Sequence, residues 1–193
     1  MIIAIDIDDV IIESSPRLTE YYNRKYGTHL TLDDMYSDDP KAWGVTDDAQ
    51  AIERVEGYLV TDEFQSIPPL REAIASIHRL SRRHELHVIT GRSLAIEVAT
   101  TDMLRAYFPD IFRSIVFTSM YSHDKRDKAD VCQELGANLL IEDHLGHALP
   151  VARSGTNVLL FGDYPWNRAE ELPSNIRRVK NWAAVEEYVH AQS

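Results

Sequence analysis

The chain opens on an unbroken apolar run, Met1 to Ile5, and short runs of the same kind recur at Leu86 to Ile89, Ile115 to Phe117, Leu139 to Ile141 and Val158 to Phe161. Apolar character that is continuous rather than alternating marks strands covered on both faces, as in a parallel sheet. Between the runs the period becomes helical. Pro69 to Arg82 sets Leu70, Ile74, Ile77 and Leu80 on one face, and Ala95 to Tyr107 offers Val98, Met103, Leu104 and Tyr107. Lys128 to Leu135 runs into Gly136, a natural residue to follow a helix C-terminus. Strands alternating with helices predict an α/β fold, a Rossmann-like parallel sheet flanked by helices and joined by right-handed crossovers.

About 57 residues, Ile11 to Ile67, separate the first run from the start of this alternation, far more than an ordinary strand-to-helix loop. Such a segment must fold on its own. Ser14-Ser15-Pro16 opens a helix that Gly27 can close, and Thr46-Asp47-Asp48 opens another that Gly57 can close. The expected organisation is a core domain of residues 1–12 and 68–193, with a small α-helical cap, residues 13–67, over the end of the first strand. Seven of the 17 aromatic residues (Tyr21, Tyr22, Tyr26, Tyr36, Trp43, Tyr58 and Phe64) fall in this segment. Some must form its own core, and any that face the sheet edge could stack on a planar group.

Composition narrows the partners. The 193 residues carry 20 Lys+Arg against 31 Asp+Glu, a formal net charge of −11, so no nucleic-acid polymer and no anionic membrane is expected to bind. Hydrophobic residues at 44% and charged residues at 26% suit an ordinary globular chain. The single cysteine, Cys132, has no internal partner and is expected to pack inside its helix. The N-terminal apolar run lacks a basic flank and stops at Asp6, so it reads as neither signal peptide nor membrane span, and the cytoplasm is the expected compartment.

In an open parallel sheet, ligands bind beyond the carboxyl ends of the strands. The residues that follow the five runs are Asp6-Ile7-Asp8-Asp9-Val10, Thr90-Gly91-Arg92, Thr118-Ser119, Glu142-Asp143-His144 and Gly162-Asp163. Asp6, Asp8, Glu142 and Asp143 gathered at one edge would repel one another unless a cation sat among them. Hard oxygen ligands select Mg²⁺, which keeps several waters and completes its shell with a substrate phosphate. His144 and His147 stand one helical turn apart beside these acids. With no Cys or third His nearby to complete a zinc set, they read as solvated or N-capping.

The combination of an apolar strand with Asp-x-Asp-x-Val, an apolar strand with Thr, a lysine before a helix, and an apolar strand with paired acids resembles the four motifs of the haloacid dehalogenase (HAD) superfamily of phosphohydrolases. The likeness covers residues 2–12, 86–92, 128–144 and, more loosely, 157–167. Val-Ile-Thr-Gly-Arg at 88–92, Lys128 followed by Cys132 and Leu135-Gly136, Leu-Ile-Glu-Asp at 140–143 and Asp-Tyr-Pro-Trp-Asn at 163–167 are similar to the 5′-nucleotidase and 5′(3′)-deoxyribonucleotidase branch. In that branch, too, a helical cap lies between the first and second motifs.

The resemblance implies a Mg²⁺-dependent phosphomonoester hydrolase working through an aspartyl phosphate, with (deoxy)nucleoside monophosphates as the first substrates to consider. Its alternatives are a sugar-phosphate or other small-molecule phosphatase of the superfamily, and a member that binds a ligand without turnover. Asp6 would be the nucleophile and Asp8 the acid/base. Thr90, Gly91 and Lys128 would hold the phosphoryl oxygens, with Lys125 as the competing lysine. Asp6, the backbone carbonyl of Asp8, and Asp143 would hold the metal, and Glu142 could share that duty. Arg92 could bind a substrate phosphate or pair with one of the acids, and Trp43 or a neighbouring Tyr of the insert could stack on a base. Asp9 stands where relatives commonly have Gly, which costs backbone freedom and adds negative charge. The partner would be a small phosphomonoester, and a homodimer is compatible with this reading.

Overall fold

In a computed structural model describing residues 1–36, 41–119 and 125–192, six strands form one parallel sheet. They are β1 (Ile2–Ile5), β2 (Glu85–Thr90), β3 (Phe112–Phe117), β4 (Leu139–Glu142), β5 (Asn157–Phe161) and β6 (Ile176–Val179), in the order β3-β2-β1-β4-β5-β6. Every adjacent pair is parallel. The order reverses at β1, which lies between β2 and β4, so the crevice of a doubly wound sheet opens at its tip. The helices are α1 (Ser15–Tyr26), α2 (Asp48–Leu59), α3 (Asp62–Gln65), α4 (Arg71–Leu80), α5 (Glu97–Tyr107), α6 (Lys128–Leu135), α7 (Leu145–Arg153) and α8 (Trp182–Ala191).

Both faces of the sheet are buried, which explains the continuous apolar runs. Ile3, Ile5, Val88, Ile141 and Leu159 pack on one face with Ile77 of α4 and Trp182, Val185 and Val189 of α8. Ala4, Ile89, Leu140, Val158 and Leu160 pack on the other with Val131 and Cys132 of α6 and Ala148 and Val151 of α7. Among the described residues no helix is long and apolar enough to cross a membrane.

The insert leaves the sheet after Ile11 and returns at Leu70, and the Leu70 N–H donates to the Ile11 carbonyl at 2.8 Å. It has a small core of its own in Tyr22, Leu30, Trp43 and Val45. Yet Tyr21, Tyr58 and Phe64 join the main core, so the segment is less self-contained than its length suggests. Tyr58 also explains one misplaced helix end. α2 runs through Gly57, because burying Tyr58 against Tyr21 and Phe64 outweighs the roughly 1 kcal/mol that glycine costs inside a helix.

Two further expectations are corrected. Val98 is 75% exposed and Tyr107 39%, so the inner side of this segment is carried by Ile96, Thr100 and Leu104. Thr100 is polar and breaks the apolar pattern, and its hydroxyl accepts from Arg92. β6 is the strand that the apolar pattern misses. In Ile176-Arg177-Arg178-Val179 only the end residues are buried, as befits a short edge strand.

Candidate active site

Asp6 follows β1 directly, and its N–H donates to the Ile141 carbonyl of β4 at 3.0 Å, which ties the two strand tips together. Glu142 is the last residue of β4 and Asp143 the next. One carboxylate oxygen from each of Asp6, Glu142 and Asp143 falls within 4.8 Å of the others, and all three residues are buried. Lys128, the first residue of α6, reaches into this group. Its Nζ lies 2.8 Å from Asp6 Oδ1 and 2.7 Å from Glu142 Oε2. Lys125 is exposed.

Charges this close and this deep move one another. Burial pushes the Asp6 carboxyl up to about 7, against the pull of Lys128 and with a further push from Glu142 and Asp8. Asp143 is held well above the usual carboxylate range by burial and by the charges of Glu142, Asp6 and Asp9. Glu142 is held well below it, because Lys128 and His147 outweigh its burial. Lys128 is raised by its two carboxylates in spite of burial and stays charged.

The turn after β1 aims the next two acids apart. The Ile7 carbonyl accepts the N–H groups of Ile11 and Ile12 at 2.8 and 3.0 Å, folding Asp8 and Asp9 into a tight loop. Asp8 does not add its side chain to the acidic group. Arg92 grips both of its oxygens, Nε to Oδ2 and Nη2 to Oδ1, each at 2.9 Å. Burial would raise Asp8, but this paired charge and its hydrogen bonds hold the carboxyl below its ordinary value. Arg92 is itself positioned by Thr100, whose hydroxyl accepts from Nη1 at 3.0 Å, and its guanidinium lies 4.8 Å from the centre of the Phe64 ring. Arg92 is thus engaged in an ion pair with an acid, one of its two expected roles. Thr90 is fully buried, and its hydroxyl accepts the Arg92 N–H at 3.2 Å.

Asp9 adopts φ 57°, the left-handed conformation for which glycine is the usual choice. Its carboxylate accepts the N–H groups of Ser14 and Ser15 at 3.1 and 3.0 Å and the Ser15 hydroxyl. Ser14 makes no side-chain cap of its own, so Asp9 caps α1 from across the loop. Burial pushes its carboxyl up to about 6 against these donors. Asp9→Ala loses the cap and keeps the backbone strain, whereas Asp9→Gly loses only the cap. Urea denaturation is expected to find both destabilised, the alanine variant by about 1 kcal/mol more.

A cavity of about 490 Å³ lies over these groups. Its floor is polar (Asp6, Asp8, Gly91, Arg92, Lys128 and Asp143), and the insert adds Leu18, Met35, Ala51, Ile52, Val55 and Leu59. Trp43 also lines it while packing edge-on against Tyr22, with ring centroids 5.1 Å apart. His144 caps α7, its Nδ1 accepting the Gly146 N–H at 3.0 Å, and burial depresses its imidazole to about 4. His147 Nδ1 lies 3.5 Å from Glu142.

Sequence reasoning did not give Thr100, Phe64 and Trp166 their partners; the Trp166 indole N–H donates to Asp143 Oδ2 at 2.6 Å. The first two sit on helices, where nothing local ties them to Arg92. Trp166 lies inside the Asp-Tyr-Pro-Trp-Asn segment, near the tip of β5, but it contacts Asp143 rather than lining the cavity. Cys132 is fully buried and its thiol is pushed up to about 12 by burial. It is expected to resist an aromatic disulfide reagent in the native protein and to react as one thiol per chain in urea.

Comparison with known proteins places the chain among HAD-type hydrolases. A curated relative, "Putative nucleotidase YqfW" from Bacillus subtilis (strain 168), is 26% identical over 198 residues, covering 97% of this chain and 93% of that protein. The solved structure of a haloacid dehalogenase-like family hydrolase, SP0104 from Streptococcus pneumoniae, superposes with a TM-score of 0.70 at 16% identity, covering 99% and 98% of the two chains. A HAD family hydrolase from Deinococcus radiodurans R1, crystallised with bound phosphate and sodium, gives 0.67 at 13% identity, covering 98% and 94%. A sequence model described as "5′ nucleotidase, deoxy (Pyrimidine), cytosolic type C protein" matches residues 1–193, and the chain therefore belongs to that family of HAD-type phosphatases and nucleotidases.

Proposed function

We propose that the protein is a Mg²⁺-dependent phosphatase that transfers the phosphoryl group of a nucleoside monophosphate to Asp6 and then to water. One observation carries this reading: a lysine-bridged carboxylate pair, Asp6 and Glu142, lies beside Asp143 on the floor of a cavity whose upper wall is largely apolar. The donor set fits magnesium. It is all oxygen and buried, and the raised Asp143 carboxyl marks a charge that a cation would relieve. Asp6, the Asp8 carbonyl and Asp143 would hold the ion. Both Glu142 oxygens already accept donors, Lys128 on one and the His144 N–H on the other, so Glu142 is better suited to orienting Lys128. When bound, the ion would neutralise phosphate charge and polarise the phosphoryl group.

The remaining steps belong to the chain. Asp6 Oδ1 is held by Lys128, and Oδ2, with no donor among the described residues, is free to attack phosphorus. An oxygen–phosphorus bond forms to Asp6 as the ester bond breaks, and the leaving oxygen takes a proton from Asp8. Water then attacks the phosphoryl group, Asp8 takes its proton, and inorganic phosphate leaves with Asp6 restored. The Arg92 fork keeps Asp8 ionised, ready for the second half-reaction. For the first, the fork must loosen so that Asp8 can carry a proton. Lys128, Gly91 and the Thr90 hydroxyl would meet the phosphoryl oxygens, where charge spreads in the transition state.

The cavity, with Trp43 in its wall, suits a leaving group that carries a planar ring better than a compact sugar. A single buried thiol fits a reducing compartment, and the cytoplasm is where the enzyme would act. The test is a panel of phosphomonoesters assayed with Mg²⁺ and again with EDTA. Nucleoside monophosphates are expected to exceed sugar phosphates in kcat/KM by about tenfold or more, with phosphate release abolished by EDTA. Equal turnover of both classes would contradict the nucleotide assignment, and full activity in EDTA would contradict the metal.

A further inference from the structure

We infer that Trp166 is a positioning residue for the metal site, orienting Asp143 through its indole N–H. This goes beyond the proposed chemistry and rests on its assignment of Asp143 as a metal ligand. The indole Nε1 lies 2.6 Å from Asp143 Oδ2, and both groups are buried. The other Asp143 oxygen, Oδ1, has no donor among the described residues. A carboxylate fixed on one side in this way presents a single oxygen in a single direction, the arrangement that outer-shell partners give to metal ligands.

The segment that carries Trp166 is built to hold it still. The Tyr164 and Trp166 rings stack with centroids 4.7 Å apart and planes within 5°. The Tyr164 hydroxyl donates to the Asp9 carbonyl at 3.2 Å, so the stacked pair spans the two loops that would surround the ion. Gly162, at φ 78°, leaves the space that the Tyr164 ring occupies, which any Cβ there would invade. Asn167 closes the segment. Its Nδ2 donates to the Phe161 carbonyl at 3.0 Å, and Arg178 donates to its side chain and its carbonyl at 3.1 and 2.6 Å. Tyr164, Trp166 and Asn167 do not themselves line the cavity, so their role is exerted through Asp143 and the Asp9 loop.

The test is Mn²⁺ binding followed by the loss of the free-ion paramagnetic resonance signal, which needs no turnover. Trp166→Phe keeps a ring to stack on Tyr164 and removes only the donor. It is expected to weaken Mn²⁺ binding by about 10- to 100-fold while leaving the melting temperature in EDTA close to that of the wild type. Wild-type Mn²⁺ affinity in Trp166→Phe would overturn the inference. Asp143→Asn separates the two levels. If it binds Mn²⁺ as the wild type does, the ligand assignment itself fails, whereas loss in Asp143→Asn without loss in Trp166→Phe rejects only the role of Trp166. Should Trp166→Phe fail to fold, wild-type ¹H–¹⁵N spectra decide. Mg²⁺ is expected to shift the assigned Trp166 indole resonance and spare that of Trp182, and an unmoved Trp166 resonance would overturn the inference.

Discussion

Asp6→Asn is expected to lower kcat for phosphate release by roughly 10⁴-fold or more, the scale of loss when a nucleophile acting within a unit is removed. The amide matches the carboxylate in size and can still accept from Lys128 through its oxygen, so the fold should persist. It has no charged oxygen to form an acyl phosphate. The check is steady-state phosphate release at saturating Mg²⁺, with the melting temperature as control. A loss of less than about tenfold with the fold intact would remove Asp6 from the reaction.

The second large effect is on stability. Lys128→Met leaves Asp6 and Glu142 facing each other in the interior without their shared cation. Removing one partner of a buried ion pair costs about 3–5 kcal/mol, because the other charge remains desolvated and unpaired. In EDTA, urea denaturation of Lys128→Met is therefore expected to lose an amount in that range. Lys128→Met combined with Glu142→Gln should recover part of it, since one of the two stranded charges is gone. A single variant within about 1 kcal/mol of the wild type would mean that Lys128 does not organise the site. Its activity should fall as well, since the same ammonium would meet the transferring phosphoryl oxygens.

The sheet was legible because burial on both faces writes itself into sequence as unbroken apolar runs. That signal is strong for β1, β4 and β5, and it fails for β6, whose two central arginines face outward at the sheet edge. Helix α6 could be placed to the residue, since Gly136 takes up the left-handed conformation its position implied. Gly57 misled because a buried tyrosine one residue on outweighs a local preference. Lys128, at the start of α6, came from the family resemblance, and the acids could be listed from strand ends, where topology brings distant segments together. What they would do to one another could not. That Arg92 grips Asp8, that Thr100 and Phe64 stand behind Arg92, and that Asp9 caps α1 are consequences of side-chain directions set by tertiary packing.

The stereochemical course at phosphorus tests the central claim most directly. A nucleotide whose phosphate is made chiral with oxygen isotopes would be hydrolysed by the wild-type enzyme and the product phosphate analysed. Transfer to Asp6 followed by transfer to water is two in-line displacements, so the configuration should be retained. Inversion would mean that water attacks the substrate directly, with Asp6 never bonded to phosphorus.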